Sequence, residues 1–155
     1  MIALDVPDAD RAFGLTRKLK GIPCWMKVGM ELFYAAGPDI VRRLKAEGHR
    51  VFLDLKFHDI PNTVRGAARS VTRLGADMFN VHAAGGTAMM TAAVEGAREA
   101  AEDGASCPLI VAVTQLTSVS EEMMRREIGI EAPLEEVVVR YARLAGQAGL
   151  SGVVS

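Results

Sequence analysis

Short runs of apolar and β-branched residues recur at intervals of roughly 25 residues, a spacing typical of strands that alternate with helices. The six runs are IALDV (2–6), WMKVGM (25–30), VFLDLK (51–56), MFNVH (78–82), LIVAVTQL (109–116) and GVVS (152–155). Because each run is short and nearly continuous, it predicts a strand that is buried on both faces.

Segments with helical periodicity separate these strands, and proline and glycine mark their ends. The predicted helices run from Pro7-Asp8 to about Gly21, from Pro38 to Gly48, from Pro61 to Leu74-Gly75, over 88–101, and from Pro133 through Leu144. This alternation predicts a parallel α/β fold. A doubly wound nucleotide-binding sheet is disfavoured, because no Gly-x-Gly-x-x-Gly follows the first strand.

Polar residues gather late in the successive strands. They are Asp5, Lys27, Asp54 with Lys56, Asn80 with His82, and Gln115. A (β/α)8 TIM barrel carries its functional residues at the carboxyl ends of its strands, so this distribution favours a barrel. About six of the eight βα units are present, and we expect residues 1–155 to be a single barrel domain that is incomplete at the C-terminus, without strands seven and eight.

Composition limits the possible partners and compartments. The chain has 155 residues, of which 50% are hydrophobic and 24% charged, and its net charge of -1 predicts binding to neither nucleic acid nor an anionic membrane. The N-terminus lacks a basic signal-peptide region, and no apolar run is long enough to span a bilayer. Cys24 and Cys107 have no metal-binding spacing, so a cytoplasmic location is expected.

The segment FLDLKFHDIPNTV (52–64) places charges inside an apolar strand. Side chains alternate between the two faces of a strand, so Asp54 and Lys56 are predicted to point to the same side, into the barrel. Asp5 and Lys27 lie at comparable positions of the first two strands, which predicts an Asp/Lys/Asp/Lys array at the barrel mouth. An ordinary structural ion-pair network remains the alternative interpretation.

A metal site is a further possibility, because carboxylates and imidazoles cluster in this region. Its candidate ligands are Asp5, Asp54, Asp59, His58 and His82. Lysines among these groups would repel a divalent cation and already neutralise the carboxylates, so no metal is expected.

Five stretches of the chain resemble orotidine 5′-phosphate decarboxylase of the bacterial type. They are ALDVPD (3–8), KVG (27–29), DLKFHDIPNTV (54–64), VHAAGG (81–86) and VTQLTS (113–118). The Asp-x-Lys-x-x-Asp-Ile-Pro-Asn-Thr run is the most specific, and the others follow in the family's order. The resemblance implies a dimeric (β/α)8 barrel that converts orotidine 5′-phosphate to uridine 5′-phosphate and carbon dioxide, with neither metal nor organic cofactor.

The resemblance also implies residue roles. Lys56 would protonate C6 of the pyrimidine, Asp54 would lie beside the departing carboxylate, and Lys27 would belong to the same charge network. Asp5 would bind the ribose hydroxyls, while Asp59 and Thr63 would reach into the site of a partner subunit. The other implied substrate contacts are Ile60, Pro61, Asn62, Thr117 and Ser118.

The family's phosphate-binding loop after strand seven and its arginine after strand eight have no counterpart in these residues. Two other functions stay open. One is a related phosphosugar decarboxylase or aldolase, which shares the barrel and stabilises an enediolate on magnesium. The other is a barrel that binds nucleotides without catalysis, since a fold does not fix a function.

Overall fold

Six parallel β-strands pair in the order in which they occur along the chain and form one sheet. The structure is a computed structural model that describes all residues 1–155. The strands are Ile2–Ala3 (β1), Trp25–Gly29 (β2), Arg50–Phe57 (β3), Met78–His82 (β4), Leu109–Val113 (β5) and Gly152–Val154 (β6). All six predicted strands are therefore confirmed, although β1, β2, β5 and β6 are shorter than the apolar runs that predicted them.

Seven helices connect the strands. They are Ala9–Lys18 (α1), Met30–Ala36 (α2), Asp39–Ala46 (α3), Pro61–Leu74 (α4), Gly86–Glu102 (α5), Glu121–Met123 (α6) and Leu134–Gln147 (α7), with a π-helical turn at Met124–Ile128 after α6. The five predicted helices are confirmed, and α2 and α6 are additional. None of the helices is both long and apolar enough to cross a membrane.

The two faces of the sheet differ in character. Val51 and Leu53 of β3 are fully buried on the helix-covered face, as are Met26 and Val28 of β2. Lys27, Phe52 and Asp54 alternate with these residues along the strands and line the concave side instead. Six parallel strands with helices between them form a half-barrel, consistent with part of a (β/α)8 barrel.

Helices α4 and α5 cross at unusually close range. A Cβ atom at Gly96 of α5 would lie 2.1 Å from the backbone oxygen of Arg65 in α4, so only glycine fits at this crossing. Beside the crossing, Arg65 and Arg69 of α4 form ion pairs with Glu99 of α5, and Arg73 pairs with Asp103. These contacts fix α4, whose first turn directly follows the loop after β3.

The sheet has two open edges. Strands β1 and β6 each pair with a single neighbour, so one side of each backbone is left without a strand partner. Ile2, Val153 and Val154 are exposed at 37%, 40% and 45% along these edges. An exposed apolar edge is a template for association with another chain.

We therefore expect a polypeptide of residues 1–155 alone to self-associate. Val153→Lys should reduce this association, because a charged edge strand opposes edge-to-edge pairing. Tyr34→Lys is the matched control: Tyr34 lies in α2 and is 74% exposed, so its substitution removes apolar surface away from the edges and should change little. Size-exclusion chromatography with light scattering measures the outcome. A monomeric 155-residue protein that unfolds cooperatively would contradict the prediction.

Candidate active site

Four charged side chains from three neighbouring strands or strand ends form a continuous chain on the concave face. Lys27 Nζ lies 2.9 Å from Asp5 Oδ1 and 3.6 Å from Asp54 Oδ2. Lys56 Nζ lies 2.6 Å from Asp54 Oδ1. Negative and positive charges alternate along this row of side chains, so each ammonium is next to at least one carboxylate. The structure thus brings together the Asp/Lys/Asp/Lys array that the sequence predicted.

The array extends from solvent into the protein. The side chain of Asp5 is 68% exposed, that of Lys27 is 21% exposed, and that of Asp54 only 13%. Lys56 is intermediate at 27%. Asp54 and Lys56 were predicted to point into the barrel, and both are largely shielded from solvent. Asp5 lies at the surface, because β1 ends two residues before it.

The backbone at Lys56 departs from regular strand geometry. Lys56 is the only non-glycine residue with a positive φ, at 51°, and the pairing of β3 with β4 shifts between Leu53 and Phe57. Simple alternation predicted the correct side for Lys56 but not this irregularity. Lys56 N–H instead donates to Asn80 Oδ1 at 2.8 Å. The Lys56 ammonium thus reaches Asp54 from an irregular stretch of β3.

The Asp54 carboxylate is stabilised in its charged form. Burial raises its pKa, but hydrogen bonds from Lys56 and Asn80 and the positive charges of Lys56 and Lys27 outweigh burial. The pKa of Asp54 is consequently below its ordinary value, so the carboxylate is ionised at neutral pH. A fixed negative charge therefore lies next to the Lys56 ammonium.

A cavity of about 210 Å³ opens over the array. Its lining residues are Lys27, Phe52, Asp54, Lys56, Asn80, Val113, Gln115, Leu116, Thr117, Val154 and Ser155. Thr117 and Ser118 are both exposed, and of the two only Thr117 lines the cavity, so their contact with a pyrimidine remains a prediction. A larger depression of about 670 Å³ runs along α7, but its charged side chains belong to solvent-exposed residues and form no comparable array.

The loop after β3 and the first turn of α4 lie outside the array. Asp59 is exposed, and its Oδ1 accepts a hydrogen bond from the backbone N–H of Ile60 at 2.6 Å. Ile60 is 66% exposed, and Pro61, Asn62 and Thr63 are also exposed. Within one chain these residues do not meet the Asp/Lys array, so their reach into a partner's site remains a prediction.

The rings of the two histidines near the site lie next to each other at an interplanar angle of 39°. The ring centroids of His58 and His82 are 5.4 Å apart. Burial lowers the pKa of His82, and the neighbouring His58 ring and Lys56 ammonium act in the same direction, so the His82 ring is neutral at neutral pH. No three His, Cys, Asp or Glu side chains are grouped so that they could hold a metal ion.

Asn80 lies at the centre of the site, although the sequence alone predicts no role for it. Its side chain is buried, with 2% of the residue exposed, and it touches both Lys56 and Asp54. An asparagine in the middle of a buried strand is itself a signal, because a buried amide requires hydrogen-bond partners. The sequence could not identify those partners, since they depend on the register between β3 and β4.

Known proteins resemble this chain over nearly its whole length. Curated proteins named orotidine 5′-phosphate decarboxylase from Bacillus cereus (strain AH187) and Bacillus mycoides (strain KBAB4) are 54% and 53% identical over 154 residues. These matches cover 99% of this chain, which spans 65% of the length of each relative.

Solved structures and a family model agree with these relatives. A crystal structure described as an uncharacterized conserved protein from Geobacillus kaustophilus matches with a TM-score of 0.95 at 52% identity, covering 99% of this chain and 71% of that one. A crystal structure of orotidine 5′-phosphate decarboxylase from Lactobacillus acidophilus matches with a TM-score of 0.93 at 41% identity, covering 99% and 69%. The model of the orotidine 5′-phosphate decarboxylase / HUMPS family matches residues 1–155, and the chain belongs to this family.

Proposed function

We propose that this chain provides the catalytic charges of an enzyme that decarboxylates orotidine 5′-phosphate to uridine 5′-phosphate. The observation that carries the proposal is the Lys56 ammonium, held 2.6 Å from Asp54 in a chain whose relatives bear this enzyme's name. The product is a pyrimidine nucleotide, so the reaction belongs to pyrimidine biosynthesis, and we infer a cytoplasmic location.

The chemistry requires a fixed positive charge at the reacting carbon. When the bond between C6 and the carboxylate breaks, carbon dioxide leaves and the electron pair stays on C6. Lys56 stabilises this developing carbanion with its ammonium and then donates a proton to C6, leaving a neutral amine that solvent reprotonates. The ammonium is already in position before the reaction begins, because Asp54 holds it.

Asp54 and Lys27 act on the reactant state. Asp54 lies beside the departing carboxylate, where repulsion between two negative charges disfavours the bound reactant. Binding of the distant phosphate and of the ribose offsets this repulsion. Lys27 lies between Asp5 and Asp54 and keeps the array close to neutral in the absence of substrate.

The remaining substrate contacts lie around this array. Asp5, which is exposed, binds the ribose hydroxyls. Thr117 and Ser118 contact and cover the pyrimidine from the loop after β5, and Ile60 lies near the base. Pro61, Asn62 and Thr63 complete the substrate-binding set at the start of α4.

We further propose that the enzyme is a homodimer with shared active sites. Asp59 and Thr63 are exposed and do not join the array of their own chain, so they are free to complete the partner's site. The two-fold symmetry of such a dimer makes both sites equivalent.

The proposed reaction needs no metal ion. Oδ1 of Asp54 accepts from Lys56, and Oδ2 faces Lys27 at 3.6 Å, so ammonium groups occupy the positions around the carboxylate. A divalent cation placed among these lysines would be repelled.

Turnover should therefore survive a chelator. All activity measurements use a protein of the relatives' full length, in which residues 1–155 are joined to the part of the Bacillus cereus relative that they do not match. Orotidine 5′-phosphate is expected to lose ultraviolet absorbance at the same rate with and without the chelator EDTA. Activity that disappears with EDTA and returns with magnesium would instead favour the related phosphosugar chemistry, and binding without turnover would favour a non-catalytic barrel.

Lys56→Ala should lower kcat by far more than tenfold, because it removes both the proton donor and the charge that stabilises the carbanion. Uridine 5′-phosphate should still bind, since the ribose and base contacts survive. Lys45→Ala is the matched control: Lys45 also forms an ion pair with an aspartate at 2.6 Å, with Asp77, but away from the array. Steady-state kinetics and calorimetric titration measure both variants. Retention of more than about a tenth of the wild-type kcat would rule out Lys56 as the acid.

A mixed dimer tests whether Asp59 serves the partner's site. Homodimers of Lys56→Ala and of Asp59→Ala should each be nearly inactive. Co-refolding equal amounts makes about half of the dimers mixed, and each mixed dimer has one intact site, so about a quarter of all sites should regain activity. Pooling the folded homodimers is the control, because activity then returns only as fast as subunits exchange. If verified heterodimers remain as inactive as their parents, Asp59 does not cross the interface.

A further inference from the structure

Asn80 contacts both members of the Asp54–Lys56 pair from the neighbouring strand. Its Oδ1 accepts a hydrogen bond from the backbone N–H of Lys56 at 2.8 Å. Its Nδ2 donates to Asp54 Oδ1 at 2.7 Å. The same Asp54 oxygen accepts from Lys56 Nζ at 2.6 Å. One buried amide thus links the backbone of Lys56 to the carboxylate that holds its ammonium.

The first hydrogen bond compensates for a break in the sheet. Leu53 pairs with Phe79 and Phe57 pairs with Val81, so β3 uses four steps where β4 uses two. Lys56 lies within this irregular stretch, at a φ of 51° that a residue with a long side chain rarely adopts. Such a conformation persists only when its surroundings hold it in place. The Asn80 oxygen supplies the acceptor for the Lys56 N–H within this stretch.

The second hydrogen bond sets the orientation of the Asp54 carboxylate. With Asn80 and Lys56 both donating to Oδ1, the carboxylate plane is fixed and Oδ2 is left facing Lys27. Asn80 itself has little freedom to rotate, because it is buried in the middle of β4 between Phe79 and Val81. Both of its hydrogen bonds would be lost together if the amide were removed.

We infer that Asn80 is a positioning residue that sets the geometry of the Asp54–Lys56 pair, by holding the Lys56 backbone in its left-handed conformation and the Asp54 carboxylate in one orientation. The inference rests on the proposed function only where it predicts an effect of Asn80 on turnover. Its effect on the geometry and ionisation of the pair can be measured without substrate.

Two substitutions separate the hydrogen bonds. Asn80→Ala removes both, whereas Asn80→Asp keeps the volume and an oxygen facing Lys56 N–H but loses the donor to Asp54. We expect kcat to fall about 10- to 100-fold in both variants, the loss typical of a hydrogen bond to a charged group, with KM changed by less than about threefold. Thr72→Val is the control, because Thr72 is equally buried but bonds only within α4.

A second readout needs no turnover. In the unliganded protein, the carboxyl ¹³C signal of Asp54, assigned with Asp54→Asn, reports the midpoint at which this group protonates. Loss of the Asn80 donor destabilises the carboxylate, so the midpoint should move to higher pH in both Asn80 variants and stay unchanged in Thr72→Val. Crystal structures should show Lys56 leaving its positive φ in Asn80→Ala.

The outcomes separate the two proposals. A shifted Asp54 midpoint together with lower kcat supports the positioning role. A shifted midpoint in the Asn80 variants, together with a wild-type protein that does not turn over orotidine 5′-phosphate, supports the positioning role and overturns the proposed function. Folded Asn80 variants that keep the wild-type kcat, the wild-type Asp54 midpoint and the Lys56 conformation overturn the inference.

Discussion

The site depends on one carboxylate that must be charged and nearly dry. Asp54 accepts from Lys56 and Asn80 through Oδ1 and faces Lys27 through Oδ2. An unpaired ion at this depth would cost several kcal/mol, so the fold is stable only if β2, β3 and β4 bring the two donors and the Lys27 ammonium to the same point. The register that aligns Gly29 with Asp54, and the irregular pairing opposite Asn80, both satisfy this requirement.

The order and type of the strands follow from the sequence, because six buried runs alternate with helical segments that proline and glycine delimit. Convergence of Asp5, Lys27, Asp54 and Lys56 also follows, since parallel strands end at the same side of the sheet. The positive φ of Lys56 and the role of Asn80 do not follow. Periodicity indicates which face a side chain occupies, whereas a break in pairing depends on the neighbouring strand. Helix α2 is not predicted by the sequence, because it begins at Met30, inside the apolar run that predicts β2, and no proline marks its start.

The residues implied by the family resemblance divide into two physical classes. Lys56 and Lys27 each lie within contact distance of Asp54, and all three side chains are largely shielded from solvent. Asp59, Ile60 and Thr63 are exposed on the loop and first helical turn that follow. The first class needs only its own chain to reach its geometry. In the proposed dimer, the second class would gain its function by covering the active site of the partner subunit.

The close crossing of α4 and α5 has a consequence for the response to salt. Ion pairs between exposed arginines and carboxylates weaken as ionic strength rises, because mobile ions screen them. The approach of Gly96 to Arg65 is steric and is not screened. The helix that begins immediately after Asp59 and Ile60 is therefore held by a contact that high salt leaves intact. The loop that contains Asp59 and Ile60 should therefore keep the same position in dilute and in concentrated buffers, even where the ion pairs of Arg65, Arg69 and Arg73 have weakened.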